Sequence, residues 1–160
     1  MLLGMPALVE FASINQLVEL CLKLNLNFIE LNMNIPCNFI QNLPPLELKR
    51  ITKETNIKFT MHMPDEADLG SFYESVRMGY VKLFSDTLDW AKEAGVDLLN
   101  LHIQEGAKMT MPDRKIYIHD QYSEEFTKNF ADSIKILSKK AQENNIILAI
   151  ENSSNLGKHY

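Results

Sequence analysis

Apolar and polar residues alternate along this chain in two rhythms. In "NFIELNMN" (Asn27–Asn34), "IKFTMHM" (Ile57–Met63), "VDLLNLHI" (Val96–Ile103) and "IILAIE" (Ile146–Glu151), large apolar side chains recur at every second position. That is the period of a β-strand. Between these segments apolar residues recur three and four positions apart, the period of an amphipathic helix. "PALVEF" (Pro6–Phe11) reads as a first, short strand, and Ile14, Leu17, Val18, Cys21 and Leu22 form the stripe of the helix after it. Ser13 with Gln16 predicts a capping box at that helix's start. Pro45 suits the first turn of a second helix ending near Thr55. A third helix is predicted from about Phe72 to Ala94, stopped by Gly95. A long loop, Gln104 to Tyr122, precedes a fourth helix that Ser123 can cap and Asn144-Asn145 end.

The order is therefore β-α-β-α-β-α-β-α-β, which implies a parallel sheet with crossover helices. Side-chain parity refines this. One face of the last four strands carries Ile29, Leu31, Phe59, Met61, Leu99, Leu101, Leu148 and Ile150. The other carries Glu30, Asn32, Thr60, His62, Asn100, His102, Ala149 and Glu151, and turns polar toward each strand's C-terminal end. A polar row buried under helices on both faces would be costly. In a (β/α)8 barrel that face is the lumen, and its C-terminal mouth holds the chemistry. The parity thus favours an α/β barrel over an open doubly wound sheet, with residues 1–160 forming one partial barrel domain.

Bulk properties narrow the partners. A net charge of −5, with no basic run longer than two residues, argues against nonspecific nucleic-acid binding. No apolar run approaches the ~20 residues that span a bilayer, and "MLLGMPALVEF" lacks the parts of a signal peptide. Two unpatterned cysteines, Cys21 on a helix stripe and Cys37, make no disulfide framework. These features set the expectation of a cytoplasmic protein with no membrane partner.

The mouth residues carry the candidate chemistry. Two imidazoles and a carboxylate, His62, His102 and Glu151, suit Zn²⁺, Mn²⁺, Co²⁺ or Fe²⁺; Mg²⁺ prefers more oxygen ligands. Each histidine also has a plain structural reading as a hydrogen-bonded strand end. Glu30 either pairs with a basic residue across the mouth or joins the site. Asn32, Asn100 and Glu30 are candidates for substrate contact, as is Arg77 if it reaches an anionic group. His119 reads as a solvated loop side chain or part of a lid, Tyr73 and Trp90 as helix packing, and His159 says little.

At these residues the chain resembles the xylose isomerase-like superfamily of TIM barrels. That superfamily includes sugar-phosphate isomerases and epimerases, hydroxypyruvate isomerases and the endonuclease IV group of abasic-site nucleases. The segments that carry the resemblance are "LNFIELNMN", "FTMHMP", "LLNLHIQEG" and "LAIENSS", with the helix "SVRMGYVKLFSDTLDWAKEAGVDLLNLH". The resemblance implies that Glu151 is a metal ligand and acid/base. It implies that His62 and His102 contact substrate in the isomerase branch and join Glu151 on one metal in the nuclease branch. The implied reaction moves a proton next to a carbonyl through an enediolate. The family's other ligands follow strands six to eight, whereas this chain supplies about strands one to five, and it reads His-Ile-Gln-Glu-Gly where the family often has His-Pro-Gly.

Three readings follow. The first is a metal-dependent sugar or sugar-phosphate isomerase or epimerase acting on a small molecule. The second is a metal-dependent nuclease for abasic DNA, disfavoured by the scarcity of basic patches. The third is a catalytically incomplete fragment. Five strands leave open edges, so the chain is expected to belong to a longer protein or to pair with a copy of itself. Phe28, Leu98 and Ile147 are then expected to lack partners across the lumen.

Overall fold

A computed structural model describes residues 1–151. The "NSS" segment and His159 lie outside the described residues. The fold is α/β, with a five-stranded parallel sheet in the order β1 (Gly4–Pro6), β2 (Phe28–Asn32), β3 (Lys58–His62), β4 (Leu98–His102) and β7 (Ile147–Glu151). Helices α1 (Ile14–Lys23), α2 (Pro45–Thr55), α3 (Glu74–Ala94) and α5 (Ser123–Asn144) make the crossovers. The run between β4 and α5 holds an antiparallel hairpin, β5 (Lys108–Thr110) with β6 (Lys115–Tyr117), and a one-turn helix α4 (Ile118–Gln121).

Each crossover helix is left through a residue in the left-handed region: Asn25, Asn56, Gly95 and Asn145, with φ between 54° and 75°. Glycine and asparagine tolerate that conformation best, and it turns the chain sharply back into the next strand. Strand pairing is in step at the C-terminal ends, with Asn32 opposite His62, His62 opposite Asn100, and His102 opposite Glu151.

The parity expectation holds on the inner strands. Ile29, Leu31, Phe59, Met61, Leu99 and Leu101 are all buried beneath the helices, and Cys21 packs among them as a free thiol. It weakens at β7, where Leu148 is half-buried and Ile150 is 44% exposed. Among the described residues β7 has a sheet neighbour on one side only, β4. On the opposite face Phe28 and Leu98 are half-buried and Ile147 is exposed.

Several local expectations are corrected. The first strand is Gly4–Pro6 and not Pro6–Phe11: it pairs with β2 only as far as Glu30, and beyond Ala7 the chain leaves the sheet. Ser13 donates to Gln16 Oε1, and Gln16 Oε1 also accepts the Ala12 N–H, but Ser13 makes no side-chain cap to the helix. Tyr73 is the N-cap residue of α3 and is exposed, because it precedes the helix and has no helical face to pack. Ser123 is the first residue of α5, whose N-cap is Tyr122. Trp90 packs as expected, its indole N–H donating to the Leu43 carbonyl at 2.9 Å.

Candidate metal and catalytic site

The C-terminal ends of β3 and β4 bring two imidazoles together. His62 is buried, and its Nδ1 lies 2.8 Å from the Met63 carbonyl. A carbonyl only accepts, so Nδ1 carries the hydrogen and Nε2 presents its lone pair. That Nε2 faces His102 Nε2 at 2.9 Å, with the rings tilted by 54°. Two lone pairs cannot face each other at this distance without a proton or a cation between them.

Two carboxylates border the pair. Asp65 Oδ1 lies 3.7 Å from His102 Nε2 and 3.8 Å from His62 Nδ1. Glu151 Oε2 lies 3.9 Å from His102 Nε2 and accepts the Asn100 side-chain amide at 2.9 Å. Asn100 thus orients the Glu151 carboxylate, which is otherwise half open to solvent.

The donor set fits a first-row divalent ion. Two nitrogens on one tetrahedral zinc at about 2.0–2.1 Å sit about 3.3–3.4 Å apart, so the histidine nitrogens, 2.9 Å apart, would part by a few tenths of an ångström to share it. Ligand atoms of His62, Asp65 and His102 all lie within 4.8 Å of one another. Asp65 was not singled out from sequence. It sits in the loop just after β3, and parity is defined only within strands; the acidic "PDE" at the mouth end of that strand was its one signal.

Glu30 is half-buried, and its carboxylate makes no hydrogen bond or ion pair among the described residues, so of its two readings the pairing with a basic residue is not seen there. Asn32 Oδ1 accepts the Asn34 N–H at 2.7 Å, and Asn34 Oδ1 in turn accepts the Asp65 N–H at 3.0 Å. Arg77 does not join the mouth: Nη1 donates to Ser133 Oγ of α5 at 3.3 Å, because its place on α3 faces that neighbouring helix.

His119 corrects the sequence reading most. It is buried, not solvated: the chain after the β5–β6 hairpin folds back and stacks the ring on Phe126 at 4.2 Å. Nε2 lies 3.1 Å from Asp68 Oδ2 and Nδ1 2.8 Å from the Gln104 carbonyl. Burial is the largest influence on its protonation and opposes the charge. The hydrogen bonds to Asp68 and Gln104, with the Asp68 and Asp120 charges, outweigh it and raise the pKa above the ordinary value of 6.5. Stability from this group is therefore full below pH 6.5 and is lost as pH rises through the raised folded value. Unfolding midpoints measured across that window should fall for the native chain and flatten in His119→Gln; parallel curves would contradict this.

Gly106 tests the same packing. Its φ is +74°, and an added Cβ would sit 2.6 Å from the His119 ring. Gly106→Ala should cost about 1–2 kcal/mol from left-handed strain alone, with more from moving the ring, as read by denaturant unfolding. A variant as stable as the parent would mean the turn relaxes freely.

No curated protein matches the chain in sequence. The family model for the xylose isomerase-like TIM barrel matches residues 18–160. Solved structures match in fold. A D-tagatose 3-epimerase-like protein is 20% identical with a TM-score of 0.75, over 98% of this chain and 54% of that one. The 3-keto-D-glucoside 4-epimerase YcjR from E. coli is 18% identical with a TM-score of 0.76, over 94% and 55%. The IOLI protein with a binding zinc atom is 17% identical with a TM-score of 0.72, over 94% and 51%. The chain spans about half the length of these structures. Among the described residues no helix is long and apolar enough to cross a membrane.

Proposed function

Because the chain belongs to the xylose isomerase-like TIM barrel family, we propose that its strand-end cluster serves a metal-dependent epimerase or isomerase of a sugar or sugar phosphate. The observation that carries this reading is the His62–His102 pair at 2.9 Å, bordered by Asp65 and Glu151. His62, His102 and one or both carboxylates would hold the ion. When bound, a divalent ion polarises a substrate carbonyl, which acidifies the neighbouring C–H.

The chain's own groups do the rest. The Met63 carbonyl holds His62 in the tautomer whose Nε2 is a free donor pair. Asn100 turns the Glu151 carboxylate toward the cluster, where it can take the proton from the carbon beside the carbonyl. Inversion then needs a proton returned to that carbon from the opposite face, by an acid that the described residues do not supply. Return to the neighbouring carbon, with a proton shift between oxygens, moves the carbonyl. Half-buried Asn32 and Glu30 belong to the same polar parity and would meet sugar hydroxyls.

The test is incubation with ketoses and their phosphates in D₂O with Mn²⁺ or Zn²⁺, followed by NMR. Deuterium should enter at the carbon next to the carbonyl, and an epimer or aldose should appear. Absence of exchange across the panel, with metal-dependent nicking of abasic DNA instead, would move the site to phosphodiester hydrolysis.

A further inference from the structure

The segment between β4 and α5 has its own anchor, and that anchor reaches the mouth. Both acceptors around the His119 ring, the Gln104 carbonyl and the Asp68 carboxylate, lack hydrogens to give. With Asp68 ionised, both ring nitrogens donate, and the contacts hold the ring as an imidazolium below its raised pKa. Asp68 is used on both oxygens, since Oδ1 accepts the Gly70 N–H at 3.0 Å. The ring is closed in by Phe126 on its face and by the edge-on Phe72 at 5.4 Å. A histidine placed only to fill space would need none of these polar partners.

Gln104 passes the constraint on. Its backbone carbonyl takes the His119 N–H, and its side-chain amide donates to the Asp65 carbonyl. Asp65's own N–H is held by Asn34 from the loop after β2. Both backbone polar groups of Asp65 are thereby tied, one from each side, with its carboxylate left facing the histidine pair.

We infer that His119 is a positioning residue: paired with Asp68, it pins the β5–β6 segment over the loop after β3 and, through Gln104, sets Asp65 beside His62 and His102. What Asp65 does there rests on the proposed metal site; the mechanical tie does not. A bound ion depends on such supporting contacts, whose loss typically weakens metal affinity about 10–100-fold.

Two variants separate the links. His119→Phe keeps the aromatic stack and removes both hydrogen bonds. Gln104→Leu keeps the backbone carbonyl that His119 uses and removes only the amide to Asp65. Amide hydrogen exchange on the full chain without metal should speed up about tenfold or more in residues 65–70 and 107–118 of His119→Phe. In Gln104→Leu only the stretch around Asp65 should loosen. In zinc titrations, Gln104→Leu should bind about tenfold more weakly while its unfolding midpoint stays at the parent value, a split that a merely structural role would not produce.

Unchanged exchange at residues 65–70 in His119→Phe would overturn the tie. Loosened segments with unchanged zinc affinity would overturn the positioning of Asp65. A parent chain that takes up no zinc would remove the metal reading, and the exchange comparison would still decide the tie. Should His119→Phe fail to fold, Asp68→Ala, which removes the oxygen that His119 Nε2 bonds, takes its place with the same expected exchange.

Discussion

Glu151→Gln is expected to abolish turnover of the proposed sugar reaction and to leave the fold in place. The substitution keeps the side chain's size and keeps an oxygen for the Asn100 amide, whose bond to Glu151 is 2.9 Å. It removes the negative charge 3.9 Å from His102 and the only basic oxygen pair on β7. Loss of a positioned general base alone costs about 10²–10⁴-fold in rate, and a weakened ion would add to that. β7 pairs with β4 through its backbone over Ile147–Glu151, which the change does not touch. Deuterium exchange into substrate, measured beside circular dichroism and thermal unfolding, separates the two effects. A variant that retains a near-normal rate removes Glu151 from the mechanism.

The largest loss of stability is expected from Leu99→Ala. Leu99 is fully buried on β4, registered with Met61 on one side and Leu148 on the other, under the helices. Removing a buried leucine's outer carbons forfeits their transfer energy and leaves a cavity that packed neighbours fill only in part, at about 2–5 kcal/mol. Against a typical domain stability of about 5–15 kcal/mol, that is a large fraction. Denaturant unfolding should show the midpoint falling with little change in slope. A loss below about 1 kcal/mol would mean the sheet–helix interface is looser than the burial indicates.

Period and parity made most of the scaffold legible. Alternation along β2, β3 and β4 placed six apolar side chains under the helices and aimed His62 and His102 at a common mouth, as the register shows. Register also set Glu151 opposite His102. What escaped the sequence lay off the strands. Asp65 sits in a loop, where side-chain direction depends on the turn and on bonds from Asn34 and Gln104. His119 was mistaken for a solvated group because nothing local shows that a hairpin at 108–117 folds its ring onto Phe126. Arg77 lies on a helix face whose neighbour, Ser133, is 56 residues away in sequence. The exposure of Ile147 and Ile150 follows from β7's place at the edge of the sheet formed by the described residues, which strand periodicity cannot express.

The central claim is that His62 and His102 share one divalent ion. Equilibrium dialysis against Zn²⁺, with the metal content of the chain then determined, tests it most directly. The parent chain should hold one ion, His62→Ala and His102→Ala should each lose it, and all three should keep the same circular dichroism. A parent chain that binds no zinc, or a His62→Ala/His102→Ala double variant that binds as well as the parent, would contradict the account.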